Sequence, residues 1–261
     1  MEIVFFIIAA TASAVGAMSG IGGGVIIKPV MDALQVMSIT SVNFLSGCTV
    51  LSMAAYSFFK NRNNAIELNY KVTAFLTVGA SLGGFAGKSI FGYIHSGLAV
   101  IQSAKLLIIN ILVLIYILKK EKIISLNIVN HWVCILIGFT LGAISSFLGI
   151  GGGPMNIAVL YYFFSMTPKE AAKNSLFIIL FSQMTSLVTT FVTKTVPPFD
   201  MTSMAVMCMG GIIGAEVGSD ICRRMNNNAL ERFFLIVLYI IILINIYNLL
   251  QSVRPWIATS R

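Results

Sequence analysis

The charges of this 261-residue chain sit in short clusters, and long stretches hold none at all. No Lys, Arg, Asp or Glu falls in 3–27, 33–59, 72–87, 123–168, 174–193, 201–215 or 233–253. A membrane helix needs about 20 mostly apolar residues, and several of these stretches supply them. A soluble domain carries about 25% charged residues; here the share is 10%, too low for a surface that faces water. The pattern predicts an all-α, polytopic membrane protein with apolar segments near 3–34, 40–59, 70–93, 98–118, 132–164, 168–192, 201–222 and 229–250.

The net charge of +8 is not a nucleic-acid signal, because the basic residues lie between the segments and on no single face of a soluble domain. The expected partner is the lipid bilayer. Met1-Glu2 lacks a basic lead-in and a cleavage site, so the first segment reads as a membrane helix and not a removable signal. Cys48, Cys134, Cys208 and Cys222 form no CxxC pair and read as small apolar thiols.

The run Lys119-Lys120-Glu121-Lys122 divides the chain near its middle, and each side carries Gly-Ile-Gly-Gly-Gly, at 20–24 and 149–153. Gly79, Gly83 and Gly87 are matched by Gly210, Gly214 and Gly218. These patterns predict a duplication: repeats 3–118 and 132–250, joined by a basic loop at 119–131, forming one domain over 1–261. Glycines four apart lie on one helix face and let two helices approach closely. The stretch GGFAGKS at 83–89 is no phosphate loop, because Leu82 stands where that motif needs a glycine.

The first segment of each half is too long for one crossing and is broken by glycines. Either it crosses as a broken helix, giving parallel repeats, or it turns at the glycines and returns, giving inverted repeats. Positive charge favours cytoplasmic loops. Of the 17 Lys and Arg, Lys28 and Lys105 lie within segments. Inverted halves put eleven of the others on one side: Lys60, Arg62, Lys71, Lys119, Lys120, Lys122, Lys169, Lys173, Arg223, Arg224 and Arg232. Only Lys88, Lys194, Arg254 and Arg261 then face the other side. Parallel repeats split the same charges nine to six, so the inverted arrangement is favoured.

Unpaired backbone groups are costly in lipid, so glycine breaks belong where protein or a polar cavity surrounds them. A helix that restarts after a break offers free N–H groups and the positive end of its dipole, which suits an anion. Candidate substrate-binding residues are therefore Gly22, Gly23 and Gly24 with Gly151, Gly152 and Gly153, with positive φ expected at Gly23 and Gly152. Lys28, one turn on, can add charge. Asn43, Ser46, Asn156, Asn174, Ser175 and Gln183 can add neutral hydrogen bonds. Glu216, inside the seventh segment, is a candidate for ion coupling or a partner of Lys105 or Arg223. His95 and His131 form no nucleophile or metal constellation, so no enzyme activity and no cofactor is expected.

The motifs Ser19-Gly20-Ile21-Gly22-Gly23-Gly24, with Pro29 beyond, and Ser145-Ser146-Phe147-Leu148-Gly149-Ile150-Gly151-Gly152-Gly153-Pro154 resemble those of the sulfite exporter TauE/SafE family, also called toluenesulfonate uptake permeases. The repeated glycine triplets and the chain length agree over essentially the whole sequence. The resemblance implies a multi-pass permease of the cell (inner) membrane for sulfite, sulfonates or related sulfur oxyanions. No ATP-binding motif is present, so a secondary transporter is expected. Homo-oligomerisation stays open, and a membrane assembly or insertion factor is the alternative. The first copy reads GAMSGIGGG where the second has the longer GAISSFLGIGGG, which suggests a shortened first arm.

Overall fold

The computed structural model describes residues 1–60, 70–93, 98–148 and 152–259. Ten α-helices follow one another among them: α1 (Glu2–Ser19), α2 (Gly24–Leu34), α3 (Ile39–Lys60), α4 (Tyr70–Tyr93), α5 (Leu98–Lys119), α6 (His131–Leu148), α7 (Gly153–Phe164), α8 (Pro168–Val192), α9 (Met201–Arg224) and α10 (Asn227–Thr259). The two long predicted segments are each split in two at their glycines. α10 continues past the predicted end of the last segment. Five of the helices (α1, α3, α8, α9 and α10) are long and apolar enough to cross a membrane, counting described residues only. A helix satisfies its own backbone groups, which is why apolar segments fold this way in lipid.

Helix starts are marked by local chemistry. Pro168 opens α8, and the Thr167 N–H donates to the Glu170 carboxylate at 2.8 Å. Asp200 caps α9, its carboxylate accepting the Ser203 N–H at 2.7 Å. Asn226 does the same for the Ala229 N–H at the start of α10, also at 2.7 Å.

The glycine triplets bring two helix pairs together. A Cβ built on Gly79, Gly83 or Gly87 would lie closer than 3.0 Å to the carbonyl oxygen of Ile135, Phe139 or Ala143 in turn. Gly210, Gly214 and Gly218 stand in the same relation to Phe6, Ala10 and Ala14. Both partner sets rise with the glycine numbers, so α4 runs parallel to α6, and α1 runs parallel to α9. Each pair joins a helix before the basic loop to one after it. Gly138 and Gly142 on α6 return the contact, against the carbonyls of Leu76 and Ala80 on α4.

The other contacts fix the remaining directions. Thr49 lies against Gly211, and the Ser219 hydroxyl reaches Ser57 at 3.5 Å, so α3 runs parallel to α9. Phe44 meets Phe191 while Phe58 meets Phe177, so α3 and α8 run antiparallel. α2 folds back along α1, with Gly23 beside Ser13 and Met31 in one buried cluster with Phe5. α1 and α6 each have 18 residues. Their matched contacts keep one register up to the break, so the first arm is not shortened; the repeated Gly-Ala at 16–17 and 142–143 is not a structural equivalence.

The basic ends converge on one side. Lys60 Nζ lies 2.9 Å from Asp220, and Lys120 lies 2.5 Å from Glu231. Lys169 Nζ donates to the Arg223 carbonyl at 3.4 Å, and its N–H donates to the Asn227 side chain at 3.3 Å. The opposite ends meet where the Ser41 hydroxyl donates to the Pro198 carbonyl at 2.8 Å.

Candidate functional site

The first break is built by a reversal, not by a gap. α1 ends at Ser19, and Gly20 takes φ +73° with its N–H on the Gly16 carbonyl at 2.9 Å. Gly22 takes φ +87°. Its N–H returns to the same Gly16 carbonyl at 3.4 Å, which drops the chain back beside α1. Gly23 is already helical at φ −62°, contrary to the positive φ expected there. The left-handed steps have been taken at Gly20 and Gly22. In the second break the positive φ does fall at Gly152, +109°, and again at Gly153, +55°. Gly151 lies outside the described residues, as does His95.

The first turn is seated against α8. The Ser175 hydroxyl donates to the Gly20 carbonyl at 2.7 Å, and a Cβ on Gly20 would collide with the Ala172 backbone. At the second break, Gly152 lies against the Asn156 amide and Ile179. Both breaks feed one apolar core, since Ile21 and Val25 share a buried cluster with Ile157, Leu160 and Ile178.

Within this apolar setting several buried polar atoms make no hydrogen bond: the hydroxyls of Ser13 and Ser46, and the amide oxygens of Asn43 and Asn156. Ser46 and Ser13 are fully buried. Such groups cost free energy in the interior unless a partner arrives. Ser13 was not singled out in the sequence; it faces Gly23 from α1 and lies near Gly211. Its signal was the run of small residues Ala9, Ser13 and Gly16 at helical spacing. Ser145 and Ser182 are buried and unpaired in the same way.

Other predicted site residues are committed elsewhere. Asn174 accepts a short hydrogen bond from Thr73 of α4 and donates to the Glu170 carbonyl at 2.7 Å. Its amide therefore joins α4 to α8 and does not reach either break through these bonds. Lys28 is buried, and its ammonium lies 3.2 Å from Asp32 Oδ2, one turn further along α2 and away from the glycines. Beside it the Asn248 side chain donates to the Pro29 carbonyl at 2.8 Å, tying α10 to α2. Glu216 pairs with Lys60 at 3.4 Å rather than with Lys105 or Arg223, because α3 lies alongside α9 in this register. Its side chain is 55% exposed, on a face shared with Ile213 and Val217.

A bundle of apolar helices, two of them broken and folded back among buried unpaired polar groups, has the build of a multi-pass membrane transporter. The model of the family described as Sulfite exporter TauE/SafE matches residues 5–244, and the chain belongs to that family. It is similar to the "Probable membrane transporter protein YunE" of Bacillus subtilis (strain 168), with 23% identity over 271 residues, 92% of this chain and 95% of the relative. No solved structure matches the chain.

Proposed function

We propose that this chain is a secondary transporter that moves a small anion, a sulfur oxyanion or sulfonate, across the cell (inner) membrane. The two glycine breaks form the site. The helix directions support a reading of two inverted halves that work as one unit. The observation that carries the reading is the pair of buried side chains with unpaired oxygens against the breaks, Ser13 beside Gly23 and Asn156 beside Gly152, with Ser46 and Asn43 also buried and unpaired on α3. Hydroxyl donors and the backbone N–H groups of Gly23, Gly24, Gly152 and Gly153 suit an oxyanion, and an asparagine amide can turn its NH2 inward; the Gly22 N–H is already on the Gly16 carbonyl. Ser175 holds the first turn in place from the second half. Lys28, neutralised by Asp32, contributes less charge than its position suggests. Glu216 is the proposed coupling group.

The test is flux in liposomes with labelled sulfite and sulfate under an imposed pH gradient. Gly152→Ala, which forces a Cβ against Asn156 at a positive φ, is expected to abolish uptake and ligand-induced thermal stabilisation. Ser46→Ala is expected to weaken that stabilisation while leaving the ligand-free melting point nearly unchanged. A saturating ligand at about a hundred times its Kd adds roughly 2.7 kcal/mol, enough to see in a melt. Glu216→Gln is expected to keep binding but lose accumulation driven by the gradient. Full ligand stabilisation in both site variants would remove the anion from the breaks.

A further inference from the structure

On the basic side the two halves are joined by a 3-10 turn, Lys120–Lys122, and by 123–130, which is neither helix nor strand. This connection is tied to α7. The Leu126 N–H donates to the Tyr162 carbonyl at 2.7 Å, and the Ile128 N–H donates to the Phe163 carbonyl at 2.9 Å. The last carbonyls of a helix find no partner within it, and these two end the helix that begins at the second break. The Ser165 hydroxyl donates to the Ser125 hydroxyl at 2.8 Å. Lys120 holds the turn down, its ammonium on Glu231 and 4.9 Å over the Tyr161 ring. Ile128 packs against the core, while Ile124, Val129 and Trp132 turn outward, Ile124 88% exposed and Trp132 79%. They continue the exposed apolar faces of α5, which ends in Ile115 and Leu118, and of α6, which goes on to Leu136. Lys119 and Lys122 are exposed beside them. These two stand three apart across the 3-10 turn, a spacing that brings side chains into line. With Lys120 and Glu121 the run holds three positive charges against one negative.

We propose that this connection is an interfacial segment that binds anionic phospholipid. Ile124, Val129 and Trp132 enter the boundary between headgroups and acyl chains, and Lys119 and Lys122 hold the phosphates. Tryptophan favours headgroup depth, and basic residues beside apolar ones bind a negatively charged membrane surface. The lysines select phosphatidylglycerol over phosphatidylcholine, whose headgroup has no net charge. They also favour a negative partner over a second, equally basic copy of the chain. A lipid that fixes the connection fixes the end of α7, and with it the helix that leaves Gly152 and Gly153. That last step rests on the transport reading above; the lipid contact itself does not.

The experiment uses the full-length protein with Trp256→Phe, which leaves Trp132 as its one tryptophan, in phosphatidylcholine nanodiscs with a minor share of brominated lipid. Brominated phosphatidylglycerol is expected to quench Trp132 more than brominated phosphatidylcholine at equal mole fraction. The preference is expected to fall about fivefold for each of Lys119→Gln and Lys122→Gln, as about 1 kcal/mol per basic residue implies. It is expected to survive in Lys119→Arg/Lys122→Arg. Hydrogen exchange at the 126 and 128 amides is expected to slow several-fold when phosphatidylglycerol replaces phosphatidylcholine. Neither readout involves flux, and Gly152→Ala is expected to lose transport while keeping the lipid preference, so the two readings fail separately. The proposal is overturned if the two lipids quench alike, if Lys119→Gln/Lys122→Gln keeps the preference, or if exchange is the same in both. It is overturned if neither lipid quenches Trp132; cross-linking of Ile124→Cys between chains would then assign the surface to a second copy. Inorganic phosphate in phosphatidylcholine discs is expected to change neither readout. If it reproduces the phosphatidylglycerol effect, the lysines hold a free anion and the lipid contact is refuted.

Discussion

Lys28 places an ammonium group where almost no water reaches, its side chain only 2% exposed. A charge there persists only if something answers it, and Asp32 does so from the next turn. Removing one partner of a buried pair typically costs about 3–5 kcal/mol, because the other charge is left stranded. Asp32 keeps some exposure, so Lys28→Gln is expected to cost about 3 kcal/mol, the low end of that range. Asp32→Asn should be comparably damaging, and the double variant Lys28→Gln/Asp32→Asn should recover most of the loss. Thermal melts of the detergent-purified protein give the three values. A double variant as unstable as the sum of the singles would mean that the charges do not answer one another. The spacing of four between Lys28 and Asp32 was legible in the sequence. The direction was not: Lys28 stands one turn from the glycines, yet its ammonium turns to the far end of α2. Residue spacing gives a face and leaves the reach of a long side chain undetermined. Glu216 makes the same point, since its partner Lys60 is 156 residues away in the chain.

At the scale of helices, the glycine triplets were the most readable feature, and they hold the two closest helix pairs. Their periodicity announces a face that comes very near another backbone. It does not say whose backbone, and the partners prove to lie across the basic loop, α4 with α6 and α1 with α9. Close approach makes a sharp prediction about neighbouring glycines. A methyl at Gly214 meets the Ala10 carbonyl at under 3.0 Å, and backbone cannot move aside without shifting a helix. A methyl at Gly47 meets only side chains, Gln183 at 3.4 Å and Leu187 at 3.6 Å, ordinary contacts. Overpacking in a rigid setting costs about 1–3 kcal/mol. Gly214→Ala is therefore expected at or above the top of that range, and Gly47→Ala near zero or slightly stabilising, since alanine favours the helix. Melting temperatures of the two variants side by side decide it. Equal losses would mean that α1 and α9 are not in contact through this face. The breaks were legible as breaks, but not their dihedrals. The turn of the first is completed at Gly20 and Gly22, before the position where sequence placed it, because Gly16 supplies the carbonyl that both N–H groups use.

At the scale of the whole chain, the charges and the contacts point to one orientation. Sequence alone could count positive residues per side only after a topology was assumed, and two topologies competed. The contacts do not depend on that assumption. Lys60, Lys120, Lys169 and Arg223 end helices that meet one another, through Asp220, Glu231 and Asn227. The first turn of α3, just after the connection at 35–38, meets the loop before α9 at the other end, where Ser41 reaches Pro198. Membrane proteins keep Lys and Arg on the cytoplasmic side because moving them outward is costly during insertion. We therefore propose that the basic ends are cytoplasmic and that the turn between α2 and α3 faces outward with the N-terminus. A broken helix that crossed the membrane would instead put that turn on the basic side. Single cysteines at Gln35 and Ser38 are expected to react with an impermeant thiol reagent from outside intact cells, and a cysteine at Lys122 only after permeabilisation. Fusions at the C-terminus should agree: alkaline phosphatase active, a cytoplasm-dependent fluorescent protein dark. Labelling of Gln35 and Lys122 from the same side would make α1 and α2 a crossing unit. The two halves would then be parallel, and the antiparallel packing of α3 on α8 would have to be wrong with them.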